Sequence, residues 1–331
     1  MIVLQLKSSS DEKPLLDTGN IISFVKKRWG YRIRGHEIHH RSNLERSTPR
    51  DRAHIVSSFC SKNDIEYVTY HAPIPRNEGQ SLIDERSNEK ANDSLLATLR
   101  EAELVHTECG LKDEVVIVYH LPSVIGLEEI PNLNKGLKFK ILKNSEQELL
   151  SFQDKKCDYF DGFATLTVEN VFPKYFTAGT RYSTINMFHR SELIRLDKFG
   201  IEITFDFSHY NIYRSYLSSG NGNAILDLDK QIYGTTAPSW EGCIGIIGKS
   251  LRQLHINDGR GTHPAAGEGL MLGEGEIPVV PVLRHIHYGL LEKTERIIQG
   301  TIELVNGHLY EGKLQKRALE WLLVNAEDIF Q

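Results

Sequence analysis

Side chains able to ligate a divalent metal recur along this chain at a nearly constant interval, each at the end of a short apolar, β-branched run. His71, His120, Glu169, Asp206, His255 and Glu303 close the runs YVTYH, VVIVYH, ATLTVE, IEITFD, LRQLH and GTIE. Subtraction gives steps of 49, 49, 37, 49 and 48 residues. A parallel β/α barrel brings the C-terminal ends of successive strands to one mouth, and active sites lie there. The spacing therefore predicts a single (β/α)8 barrel, an α/β fold, with all six side chains at its mouth.

The rest of the chain agrees with that expectation. Strand-like and helix-like patterns alternate from end to end, which implies a parallel sheet. The strands expected are MIVLQLK, HEIHH, YVTYH, EVVIVYH, ATLTVEN, IEITFDF, LRQLHIND and GTIELVN. The helices expected are IISFVKKRW, stopped by Gly30, then AHIVSSF, then one carrying Leu95, Leu96, Leu99 and Ala102 and closed by Gly110. SEQELLSFQ, SELIRLDKFG, a helix near 244–249, VLRHIHYGLLEK with Pro281 in its first turn, and LQKRALEWLL complete the set. An additional strand is expected in LKFKIL. No linker of domain-boundary composition interrupts the series, so residues 1–331 read as one domain. An open dinucleotide-binding sheet would need a GxGxxG turn after the first strand, and none is there.

Bulk properties narrow the classes. The 331 residues are 40% hydrophobic and 25% charged, with a net charge of −5, as expected of a folded globule and unhelpful to general nucleic-acid binding. No apolar run is long enough to span a bilayer. The start, MIVLQLKSSSDEK, is too short in its apolar part for a signal peptide. Four cysteines stand far apart with no CxxC pair, which fits a reducing cytoplasm.

Glu169, Asp206, His255 and Glu303 offer three carboxylates and an imidazole, a donor set that suits Zn or Mn. One such residue alone would more often cap a strand by bonding loop backbone. Six in phase argue for a common site. His209, three residues past Asp206, and His263, in the loop after strand seven, extend the candidates. Asp258 would orient an imidazole from behind or open its loop with an Asx turn. Glu37 and His39 alternate onto one face of strand two, where a buried hydrogen-bonded pair is the plainer reading.

These residues resemble the superfamily of xylose isomerase-like barrels, which includes the endonuclease IV group and the sugar isomerases and epimerases. The resemblance rests on His71-Ala72-Pro73, Tyr119-His120, Glu169-Asn170, Asp206-Phe-Ser-His209, His255-Ile-Asn-Asp258, Gly273-Glu-Gly-Glu-Ile277 and Ile302-Glu303, about two thirds of the chain. By resemblance to the endonuclease IV group, His71, His120, Glu169, Asp206, His209, His255 and Glu303 are metal ligands, with His263 a further one. Here GEG occurs twice, at Gly267 and at Gly273. Gly261 or Gly267 stands where the group has an aspartate, Ile74 where it has an aromatic, and its first-strand glycine motif is absent. By resemblance to the sugar isomerases, one metal is held by Glu169, Asp206, His255 and Glu303, with His209 touching substrate and Arg260 binding it.

The two resemblances imply two reactions. In a phosphodiester hydrolase, Glu169 and Glu303 bridge metals that activate a water against phosphorus. In a sugar or sugar-phosphate isomerase, Glu169 and Glu303 move a proton on either side of the substrate and His209 steers a hydroxyl. His71 and His120 have an evident use only in a centre of several ions, which places the hydrolase first. The loop after strand five interleaves Lys174, Arg181 and Arg190 with Phe172, Tyr175, Phe176, Tyr182 and Phe188. Such a loop contacts phosphate and stacks on bases, or folds over the mouth as a lid. The expectation is a divalent-metal enzyme with one to three Zn or Mn ions. Its substrate would be DNA with an abasic site, or else a small sugar or sugar phosphate.

Overall fold

The structure, a computed structural model, describes residues 1–39, 48–72, 85–120, 124–126, 131–159, 162–171, 182–184, 192, 195–196, 198–219, 224–262, 267–292, 296–305, 307 and 310–330. Among the described residues ten strands fall in this order: β1 (Ile2–Ser8), β2 (Gly35–His39), β3 (Tyr67–His71), β4 (Val115–Tyr119), β5 (Val124–Gly126), β6 (Ala164–Glu169), β7 (Tyr182–Thr184), β8 (Glu202–Asp206), β9 (Leu251–Ile256) and β10 (Ile298–Ile302). Eight of them pair in parallel and close into a barrel in the order β1-β10-β9-β8-β6-β4-β3-β2. The other two, β5 and β7, pair antiparallel and tie the loop after β4 to the loop after β6.

Helices fill the intervals. Glu12–Trp29 buries Leu15, Ile21, Ile22 and Val25 and stops at Gly30, whose φ of 67° is the left-handed cap that glycine adopts without strain. Pro49–Asn63 opens on a capping box between Thr48 and Asp51. It packs on Glu85–Cys109 around a buried pair, Arg52 Nε to Glu101 Oε2 at 2.7 Å.

Lys135–Tyr159 is one helix, so LKFKIL is not a strand. The alternation in those six residues also satisfies a helical face: Lys138, Ile141 and Leu142 are buried together, and the Asn134 side chain accepts the Leu137 amide at the start. Lys138 is buried because Glu192 Oε1, at 2.9 Å, and Asp229 neutralise it.

Two helices unmarked in the sequence reading, Phe207–Ser219 and Ala224–Tyr233, lie between β8 and β9, ahead of Trp240–Ile247. Val279–Arg284 continues into a π-helical stretch, His285–Leu291, and Lys313–Asn325 closes the ring.

The strand alternation sends Leu4, Leu6, Ile256, Ile298 and Ile302 into the apolar core. The barrel interior beneath the mouth is polar instead. Gln5 Nε2 donates to Gln299 Oε1 at 2.5 Å, and Thr301 Oγ1 donates to Gln5 Oε1 at 2.8 Å. Gln253 Nε2 donates to Thr301 Oγ1 at 3.1 Å and to Glu37 Oε2 at 2.6 Å. Amides and hydroxyls that bond one another across the barrel hold fixed rotamers, and so form a rigid floor for the side chains one layer above.

Candidate metal centre

Strand ends gather the six side chains. His71, Glu169 and Asp206 are the last residues of β3, β6 and β8; His255 is the penultimate residue of β9; His120 and Glu303 follow β4 and β10 directly. In-register pairing sets Asp206 beside His255 and His39 beside His71. Glu169 lies at the centre. Its Oε2 is 2.7 Å from His120 Nε2 and 3.2 Å from His71 Nε2. Its Oε1 is 3.1 Å from His209 Nδ1 and 3.4 Å from His255 Nδ1. Each of Glu169, Asp206, His255 and Glu303 places one ligand atom within 4.8 Å of the others, and His71, Glu169 and His255 form a second such group.

Two atoms test whether a cation fits. His255 Nδ1 lies 2.5 Å from Glu303 Oε2, yet neither atom has a hydrogen-bond partner among the described residues, and both are buried. Two buried lone-pair carriers turned on one point cost free energy unless a proton or a cation lies between them. Carboxylate oxygens and imidazole nitrogens are also the donors that Zn and Mn accept. The residues present therefore fit a divalent ion.

Positive charge on protons balances the carboxylates in the absence of metal. Burial opposes ionisation of Glu169, but His120 and His255 outweigh it and hold its pKa well below the ordinary value. Burial likewise opposes a charged His255, and Glu303, Glu37 and Glu169 overcome it, so its pKa is raised well above the ordinary value. His209 is pushed up to about 10 by Asp206, Glu169 and Glu268 against its burial. Asp206, unlike Glu169, is raised above its ordinary value by burial. A metal entering this mouth displaces protons from imidazoles, since only the neutral ring is a ligand.

The residues around the six divide clearly. Asn170 and Asn257 fix Asp206: the Asn170 side chain accepts the Asp206 amide at 2.5 Å, and Asn257 Nδ2 donates to Asp206 Oδ2 at 2.8 Å. Asp258 does not reach an imidazole among the described residues. Its carboxylate accepts four backbone amides, from Gly259, Gly273, Gly275 and Ile277, at 2.8–3.0 Å. The second GEG copy is thus the one docked on Asp258, and a Cβ at Gly275 would collide with Asp258 Oδ1.

The partner that orients His255 from behind is Glu37, whose Oε2 is 3.2 Å from His255 Nε2. Glu37 is not paired with His39; the His39 ring stacks on His71 at 4.9 Å between centroids. Arg260 is exposed and donates to the Glu274 carbonyl at 2.7 Å. His263, Lys174 and Arg181 lie outside the described residues.

Two residues of the site, Glu268 and Lys7, were missed in the sequence, and Glu37 was read there as the partner of His39. Glu268, in the first GEG copy, has its Oε1 3.0 Å from His209 Nε2. Lys7 and Glu37 form an ion pair at 2.7 Å, and Lys7 also donates to Glu303 Oε1 at 2.6 Å. A polar side chain at the end of β1 was signal enough for Lys7, had the strand-end rule been applied to that strand too.

No protein-family profile and no curated protein matches the sequence. Solved structures match it nearly end to end. A xylose isomerase domain-containing protein from Salmonella typhimurium is 11% identical, with 99% of this chain and 97% of that one covered and a TM-score of 0.55. The chain folds as a xylose isomerase-like barrel. An L-ribulose 3-epimerase has this barrel too, at 12% identity, 99% and 96% coverage and a TM-score of 0.58. So does endonuclease IV from Thermus thermophilus, at 15% identity, 96% and 98% coverage and a TM-score of 0.51. At such identities the likeness carries the fold of these xylose isomerase-like barrels, not a reaction.

Proposed function

We propose that this chain is a divalent-metal-dependent phosphodiester hydrolase of the endonuclease IV kind, working as one domain over all 331 residues. The observation that carries it is Glu169, which turns Oε2 to His71 and His120 and Oε1 to His255. A carboxylate with nitrogen ligands at both oxygens is the arrangement that a pair of cations shares. One ion would be held by His71, His120 and Glu169, the other by Glu169, Asp206, His255 and Glu303. Zn or Mn there would supply Lewis acidity and lower the pKa of an attacking water.

The chain's own residues do the rest. Glu37 sets the tautomer of His255 so that Nδ1 faces the mouth. Asn170 and Asn257 hold Asp206 in one rotamer. His209, between Glu169 and Glu268, holds a proton that a leaving oxygen needs. DNA with an abasic site is the substrate proposed, with Lys174 and Arg181 contacting phosphate. The free thiols of Cys60, Cys109 and Cys243 support a place in the cytoplasm.

One observation favours a second reading. Glu169, Asp206, His255 and Glu303 form a four-donor group that is complete for one ion. A one-metal sugar or sugar-phosphate isomerase needs nothing more, with Glu169 and Glu303 moving the proton and Arg260 binding substrate. His71→Ala and His120→Ala separate the readings. In the hydrolase each variant loses one ion per chain and most of its cleavage of a duplex carrying one abasic site. Unchanged metal content in both variants, with turnover of a ketose or its phosphate by the parent, replaces the hydrolase with the isomerase.

A further inference from the structure

Lys7 lies in the wall of the mouth, its side chain 10% exposed. Strand register puts it opposite Glu37, since β1 pairs with β2 at Lys7 and Glu37. Its Nζ is 2.6 Å from Glu303 Oε1 and 2.7 Å from Glu37 Oε1. His255 joins the same two carboxylates through their other oxygens. Lys7 and His255 therefore share the same two carboxylates, Glu37 and Glu303, and this arrangement fixes where the ammonium stands.

Two facts say that this ammonium is not spent on the two carboxylates. An ammonium carries three N–H donors; one donates to Glu303 Oε1 at 2.6 Å, and Glu37 Oε1 is an ion-pair partner at 2.7 Å. No other described residue pairs with the ammonium, and the side chain is 10% exposed. The second fact is the charge balance. Glu37, Glu169, Asp206 and Glu303 carry four negative charges in the buried cluster, and the two divalent ions of the proposed centre cancel them. His209 and Glu268, 3.0 Å apart, stand outside this count. The charge of Lys7 is left over. A surplus unit charge in a low-dielectric cleft attracts an anion strongly and does little for a neutral ketose.

We propose that Lys7 is a substrate-binding residue whose remaining N–H takes a non-bridging phosphate oxygen, so that the mouth selects a singly charged phosphodiester. The assignment rests on the two-ion reading above and adds a substrate-binding residue to it. Glu303 and Glu37 act as anchors that hold the ammonium in place.

The test is binding of inorganic phosphate to the metal-loaded full chain by titration calorimetry, with metal content measured on every sample. Lys7→Met and Lys7→Gln are expected to bind phosphate at least about tenfold more weakly at an unchanged metal-to-protein ratio. Lys7→Arg, which keeps the charge, is expected to stay within a few-fold of the parent. Parental phosphate affinity in a neutral variant that holds its metal overturns the assignment. Loss of metal from the neutral variants also overturns it, since Lys7 would then act only by holding Glu303. A parent chain free of metal sinks the two-ion reading itself, which the metal content alone reveals. Should the neutral variants not fold, the unaltered protein decides. The Lys7 ¹³Cε signal is expected to shift on adding phosphate and not on adding sodium chloride of equal ionic strength; no shift overturns the proposal.

Discussion

Glu169→Gln is expected to abolish turnover and to empty the mouth of metal, while the barrel still folds. The amide keeps the shape of the carboxylate but loses the charge that balances two cations, and its nitrogen cannot ligate. Losing a mere outer partner of a metal ligand costs about 10–100-fold in affinity or activity, and the shared ligand should cost more than that. Glu303→Gln should behave similarly, because it removes a donor from one ion and the Oε1 anchor of Lys7. The checks are metal content, abasic-duplex cleavage and far-UV circular dichroism on the same preparations. Near-normal turnover by either variant at saturating metal would mean that the centre lies elsewhere.

That the six strand-end residues could be read from the chain has a physical reason. In a parallel barrel every strand leaves its last residues at the same mouth, so the repeat of strand and helix becomes a repeat of ligands. His71, Glu169 and Asp206 end their strands, and the other three lie within one residue of a strand end. What escaped is equally physical. LKFKIL alternates like a strand, yet Lys138 and Ile141 are three apart and Lys138 and Leu142 four apart on one helix face, and tertiary neighbours decided between the two periods. The helix Phe207–Ser219 hid behind its hydroxyls. Tyr210, Tyr213 and Leu217 recur at steps of three and four and are all buried, which was the available signal. Lys7 and Glu37 were invisible as a pair because their partnership depends on the register between β1 and β2, which no local pattern states. The choice between the two roles open to Asp258 was not legible, because most of its partners are amides of a glycine-rich stretch fifteen to nineteen residues away.

Asp258→Ala is expected to produce the largest loss of stability outside the metal centre. Four amides lose a charged acceptor at once: Gly259, Gly273, Gly275 and Ile277. Bonds to charged groups contribute roughly 1.5–3 kcal/mol each, and a stranded buried donor costs a similar amount. The loop can detach and hydrate its amides, so the sum will not be reached; urea unfolding should show a loss of about 3 kcal/mol or more. Hydrogen exchange at Gly273, Gly275 and Ile277 should accelerate well ahead of exchange in the barrel strands. The site should suffer as well, since Leu270, paired with Asp258 through backbone bonds of 2.8 and 3.1 Å, follows Glu268 by two residues. Asp258→Asn, which keeps one acceptor oxygen, should fall between the parent and alanine. Equal stability of Asp258→Ala and the parent would show that backbone pairing alone holds the loop.

The central claim is that one carboxylate, Glu169, is shared by two divalent ions. Anomalous diffraction from crystals of the metal-loaded protein, recorded across the absorption edge of the bound element, tests it most directly. The account predicts two peaks flanking the Glu169 carboxylate, one against His71 and His120 and the other against Asp206, His255 and Glu303. A single peak within the second set alone, with none beside His71 and His120, contradicts it.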